Sequence, residues 1–282
     1  MITSQNKDGF HAVTQLEHSA LVGIIAANWG GDAVALPLPR RPMLVMAAEH
    51  DLCWVYHDHR PRIDPDSGIP YDYASLPYDA HVKLYREGAR YLSEREPYGG
   101  LMLSLHGTGI YNGRHGTDAE MVRPTRSPEE AQAVKTYLAD GEAFRDTLRT
   151  QIEDEGGENI QGLDNKVLWT NYHLMQVWDR LGLLLSKGIA ESFVIEPVPL
   201  LSGDANGSIR FSYQGDGLYL ADPYPFAVPE VHLSVNARRL PRTTFSDDKE
   251  YQEVLDTAPN IFWNYRFRSN ESGYLYLQPT KS

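Results

Sequence analysis

Apolar side chains recur at helical spacing over the first two-thirds of the chain and fall into short runs between turn residues after that. Over residues 10 to 30, Val13, Leu16, Leu21, Val22, Ile24, Ile25 and Trp29 mark one helix, which Gly30-Gly31 ends. A Pro-rich connector, Leu36 to Pro42, leads to a second apolar stretch, Met43 to Val55. The segment Asp58 to Tyr71 (DHRPRIDPDSGIPY) is dense in turn formers. Its length suits a loop that covers a site. A third helix spans roughly 78 to 95 and carries His81, Leu84, Gly88, Ala89 and Leu92. A fourth apolar run, Gly99 to Leu105, delivers His106. Ser127-Pro128-Glu129-Glu130 is a helix start, with Ser127 as cap, Pro128 at the first helical position and Glu130 completing a capping box. That helix runs to about Glu155. Another begins near Asp164, ends at Gly188, and holds Tyr172, Gln176, Asp179 and Leu183 on one face.

After residue 190 the pattern changes. Phe193 to Leu200, Ser208 to Tyr213, Leu218 to Ala221, His232 to Ala237, Ile261 to Arg268 and Tyr274 to Leu277 read as strands, with Asp216-Gly217 as a hairpin turn. Only residues 247 to 257 look helical in this part. The expectation is an α+β chain: an all-α region over 1–190, then a small, mostly antiparallel β region over 191–282 packed on it.

Composition narrows the functional classes. The chain has 282 residues, with 26 Lys and Arg against 38 Asp and Glu, a formal charge of −12. Such acidity argues against duplex nucleic acid or an anionic membrane as partner and leaves a small-molecule substrate, with a homo-oligomer open. Cys53 is the single cysteine, so no internal disulfide points to an oxidising compartment. The polar start, Met1 to Asp8, lacks a signal peptide's blocks, and no apolar run suits a membrane span. A cytoplasmic location is expected.

His18, His50, Asp51, His81, His106 and Asp179 carry the candidate chemistry. Imidazole with carboxylate suits iron, manganese or zinc. The segments QLEHSAL, AAEHDLCW, AHVKLYREGARYL, LSLHGTGIY and VWDRLGLLL hold them in order. An adjacent His-Asp pair between helical His and Asp residues resembles the HD-domain superfamily, helical metalloproteins that include phosphohydrolases and a few diiron oxygenases. The added His81 and His106 match its dinuclear subgroup of four His and two Asp. The whole chain also resembles an uncharacterised bacterial family of HD-like proteins with the same C-terminal extension. The resemblance implies a helical bundle over residues 10 to 190. It also implies two transition-metal ions, divalent or mixed-valent, bridged by Asp51. One would be held by His18, His50 and Asp179, the other by His81 and His106.

Trp54 departs from that pattern, because relatives often have a cationic residue there that meets the substrate. The expected function is therefore a dinuclear diiron oxygenase acting on a small polar substrate. A metal-dependent phosphohydrolase is the alternative, and a metal-binding or sensing protein without turnover is a third. Asp51, Gln15 and Trp54 are the candidate catalytic residues, Gln15 because it lies three residues before His18 on one helix face. Gln176 stands in the same relation to Asp179. His57, His59 and His115 fall in polar loops and read as solvated, whereas His173 is about 120° from the face of Asp179. His11 is a candidate support for His18, and His232 reads as structural.

Overall fold

The computed structural model describes residues 1–6, 9–118, 122–125, 127–202 and 207–270. Its elements in chain order are β1 (Ile2–Asn6), β2 (Gly9–Val13), α1 (Gln15–Asn28), α2 (Arg40–Glu49), α3 (Val55–His59), α4 (Tyr78–Ser93), α5 (Pro97–Gly109), α6 (Pro128–Glu155) and α7 (Asn165–Ser186). β3 (Phe193–Val198), β4 (Gly207–Gly215), β5 (Leu218–Asp222), β6 (Glu230–Leu240), α8 (Asp248–Thr257) and β7 (Asn260–Ser269) complete it.

The seven strands form one curled sheet in the order β1-β2-β6-β7-β5-β4-β3. Every neighbour is antiparallel except β5 with β7. This overturns the expected helical HD-domain bundle with a small β region. The sheet begins at the N-terminus: β1 pairs with β2, and β2 joins β6 through Phe10↔Leu240 and Ala12↔Arg238. Residues 10 to 13, expected as the start of the first helix, are therefore strand. The break is made by Thr14, whose extended backbone and side chain cap α1 by accepting from the Glu17 N–H at 3.0 Å.

Other boundaries follow their local chemistry. Ser127 accepts from the Glu130 N–H at 3.2 Å and starts α6, as the capping box predicts. Asp164 accepts from the N–H groups of Lys166 and Val167 at 3.0 and 3.1 Å and starts α7. Asp216 and Gly217, at φ 46° and 71°, make the turn between β4 and β5. Tyr274 to Leu277 lies outside the described residues.

α5 is the central helix, buried along its length from Tyr98 to Gly109. α1 and α7 lie together, with helix–sheet ties from Asn236 N–H to Glu17 at 3.0 Å and from the Tyr265 hydroxyl to the Leu185 carbonyl at 2.9 Å. One continuous core joins α1, α2, α4, α5 and α7 to the inner face of the sheet, from Val22 and Trp29 through Trp178 to Phe211 and Phe267. The Asp58–Tyr71 segment packs on α8: Ile63 shares a core with Phe245 and Tyr251, and its N–H donates to Asp248 at 2.8 Å.

Candidate metal centre

The six candidate ligands come from five places in the fold. His18 is on α1, His50 ends α2, and Asp51 precedes the 3-10 turn Leu52–Trp54. His81 lies in the first turn of α4, His106 near the end of α5, and Asp179 in the middle of α7. All six side chains are buried. Six buried titratable groups without mutual compensation would be costly, so their spacing matters.

His18, His50 and Asp179 converge, with one donor atom of each lying within 4.8 Å of the other two. His18 Nε2 is 3.0 Å from Asp179 Oδ1 and 3.9 Å from Asp51 Oδ2. His50 Nε2 is 3.4 Å from Asp51 Oδ2 and 3.7 Å from Asp179 Oδ1. Donors at about 2.1 Å from one ion in a tetrahedron lie about 3.4 Å apart, and the four separations bracket that value. A close approach of helices makes this possible. A Cβ on Gly182 of α7 would stand 2.5 Å from Val22 Cγ2 and 3.0 Å from His18 Cε1.

Each histidine is held at Nδ1 from outside the cluster. His18 meets Ser186 Oγ at 3.5 Å; His50 meets the Ala47 carbonyl at 2.9 Å and Ser19 Oγ at 3.3 Å. His81 meets the Tyr111 hydroxyl at 2.6 Å, and His106 differs in that its Nδ1 accepts from the Gln176 Nε2 at 3.3 Å. His50 donates from Nδ1 to the Ala47 carbonyl, which turns Nε2 toward the two carboxylates. Metal-ligating imidazoles are oriented in this way.

The electrostatics match. Burial opposes a charged imidazole, but Asp51 and Asp179 outweigh it and push His50 up to about 10. Burial also opposes ionised carboxylates, yet His50 and His18 hold Asp51 below its ordinary value, and His18 and His50 hold Asp179 well below. The centre is thus a place of negative potential that favours a cation. His81 and His106 are driven down to about 3, chiefly by burial, with Arg123 adding to the first and Arg114 to the second. Both are neutral donors at ordinary pH.

A cavity of about 280 Å³ opens over the cluster, lined by His18, Asp51, His81, His106 and Asp179. His106 stacks edge-on to His50 at 5.6 Å between ring centres. Tyr85 touches the rings of both His81 and His106, at 4.9 and 5.9 Å, and its hydroxyl donates to Asp51 Oδ1 at 3.2 Å. Gln15 also lines the cavity, with a buried Oε1 that has no hydrogen-bond partner. Trp54 does not line it; the indole packs edge-on behind His81 at 5.7 Å. His11 is on β2 against Trp263, His173 is half-buried on α7, and His232 pairs with Glu230 at 2.8 Å.

Sequence reasoning missed Tyr85, Arg114 and Arg123, which all line the cavity. Tyr85 had a legible signal, one helical turn after His81. The arginines had none, because loops bring them in. Tyr73 and Ala74, just past the Asp58–Tyr71 loop, reach the cavity instead of the loop itself.

The architecture is a curled sheet backed by helices that bury an imidazole–carboxylate cluster. The chain belongs to the family DUF3891, described as a protein of unknown function, whose model matches residues 1–242. This family, together with the mixed fold, replaces the HD-domain superfamily suggested by the ordered His and Asp residues. No match was found among curated proteins or among solved structures. Among the described residues, no helix is long and apolar enough to cross a membrane.

Proposed function

We propose that the chain is a metal-dependent enzyme, a hydrolase acting on a small polar substrate in the cavity over His18, Asp51 and Asp179. One observation carries this reading: histidines from α1 and α2 present Nε2 to two buried carboxylates at ion-sharing distances, each with Nδ1 held from behind. A bound transition-metal ion supplies a Lewis acid and lowers the pKa of water. His18, His50 and Asp179 would hold it, with Asp51 Oδ2 beside the two imidazoles. His81 and His106 are neutral imidazoles on the same cavity wall, placed to face substrate. Gln15 offers its unpartnered oxygen to water or substrate at the cavity edge.

Hydrolysis is preferred to oxidation because of what faces the substrate. The aromatic Trp54 stands behind His81, while Arg114 and Arg123 are on the wall. The second reading, an iron-dependent oxygenase, rests on the four-His, two-Asp donor set, which iron accepts as readily as manganese or zinc.

Metal analysis of protein purified under low oxygen is the first test. One or two transition-metal ions per chain are expected, with loss in Asp179→Ala. Protein that takes up no iron, manganese or zinc would overturn the reading. A substrate panel then separates the chemistries: oxygen-independent ester cleavage marks the hydrolase, oxygen uptake with iron the oxygenase, and tight metal with neither a sensor.

A further inference from the structure

Two guanidinium groups share the cavity wall with a floor of carboxylates and imidazoles. Arg123 is tied by the Tyr73 carbonyl at 3.3 Å and by the Leu76 carbonyl. Arg114 donates to the His106 carbonyl at 3.5 Å. Carbonyls position a guanidinium without cancelling its charge, and each group keeps donors to spare. Arg114 sits on a turn that costs backbone energy: it and His115 have φ of 52° and 57°, a left-handed conformation that non-glycine side chains disfavour. Such strain persists where the surroundings fix it, commonly at binding sites. Arg114 also lines a second chamber of about 380 Å³, which shares Asp179 and Leu183 with the first. The arginine therefore stands where the two spaces meet.

The charges decide what fits. One divalent ion offsets Asp51 and Asp179. The two guanidiniums then leave two positive charges on the wall of a half-open cavity, which concentrates their field and attracts an anion. We infer that the cavity is a seat for the doubly negative end of a small substrate, gripped by Arg114 and Arg123 opposite the metal ligands. The Arg fork matches both phosphate and carboxylate oxygens, so the shared chemistry is a compact dianion, a phosphate monoester or a dicarboxylate. This inference rests on the metal reading for its charge balance and on the arginines for its location.

Calorimetric titration of the zinc-loaded full chain with inorganic phosphate, succinate and acetate tests it. Phosphate or succinate should bind at least about tenfold more tightly than acetate, and Arg114→Gln and Arg123→Gln should each weaken that binding by about tenfold or more, as loss of a charge-assisted bond does. The metal content of both variants should equal that of the parent. The tighter of phosphate and succinate identifies the source of the dianion. Arg123→Lys, which keeps the charge but loses the fork, should bind more weakly than the parent and more tightly than the Gln variant, and serves where the Gln variant does not fold. Equal affinity for acetate and both dianions, or dianion binding untouched in both arginine variants at full metal content, would overturn the inference. If the parent takes up no zinc, the metal reading fails by itself, and the same titration of the metal-free chain still reads the arginines: arginine-dependent phosphate or succinate binding supports the seat, and its absence overturns it.

Discussion

The Tyr85 hydroxyl donates to Asp51 Oδ1 at 3.2 Å from a position one helical turn beyond His81, so α4 delivers both an imidazole and the group that orients the central carboxylate. The other oxygen, Oδ2, is left facing His18 and His50. Tyr85→Phe should remove one hydrogen bond, about 1 kcal/mol of stability. It should also weaken metal binding by about 10- to 100-fold, the usual effect of losing a ligand's supporting partner. Competition against a chromophoric chelator reads the affinity. An unchanged affinity would remove Tyr85 from the centre.

Asp51 faces His18 and His50 with one oxygen and accepts from the Tyr85 hydroxyl with the other, in a cavity that His81 and His106 also line. Asp51→Ala should therefore lower metal content more than His81→Ala after identical purification. Equal losses would argue against a carboxylate shared between two sites, and loss in Asp51→Ala alone would leave a single-ion centre.

The helices and their caps were legible in the sequence because their signals are local. Ser127 and Glu130, or Asp164 ahead of Val167 and Leu168, announce a start wherever the chain goes next. The N-terminal hairpin was not legible. Ile2 to Asn6 is mostly polar, and Phe10 and Val13 continue the apolar spacing of α1, so the sequence pattern runs through Thr14 as though no boundary stood there. Only pairing with β6, over two hundred residues away in the chain, makes Gly9–Val13 a strand. That pairing places the sheet at both ends of the chain and defeats the inference from six ordered ligands to a helical superfamily. The ordered ligands themselves could be picked out as residue types, but what surrounds them could not: Trp54 sits in sequence next to the centre yet behind it in space, while Arg114 and Arg123 arrive from loops with no periodicity.

Gly182 should be intolerant of a methyl group. The added Cβ would lie 2.5 Å from Val22 Cγ2 and 3.0 Å from His18 Cε1, forcing α7 away from α1. Overpacking of this kind costs about 1–3 kcal/mol. Because the displaced side chain is a ligand, Gly182→Ala should also lose part of the rise in melting temperature that zinc gives the parent. Thermal denaturation with and without metal measures both effects. A variant that melts lower but keeps the full metal-dependent rise would separate the helix contact from the centre.

Asn171 offers the opposite expectation, a large loss of stability with the centre intact. It is fully buried on α7. Its Nδ2 donates to the Leu38 carbonyl at 2.7 Å and to the Tyr98 hydroxyl at 2.7 Å, while its Oδ1 accepts from the Leu38 N–H at 3.1 Å. Tyr98 in turn donates to the Gly162 carbonyl at 3.1 Å. One carboxamide thus ties the Pro-rich connector, α5 and the approach to α7 together, two turns from Asp179 along the helix. Asn171→Ala removes three hydrogen bonds at once, two to Leu38 and one to Tyr98, each worth about 1 kcal/mol. A total loss of about 3 kcal/mol is expected by chemical denaturation. Tyr98→Phe, which keeps the ring in place, should cost about 1–2 kcal/mol, and the double variant should cost less than the two single losses added, because both act on one network. Metal affinity in the folded variants should match the parent. Strict additivity would mean that the two side chains stabilise the connector independently.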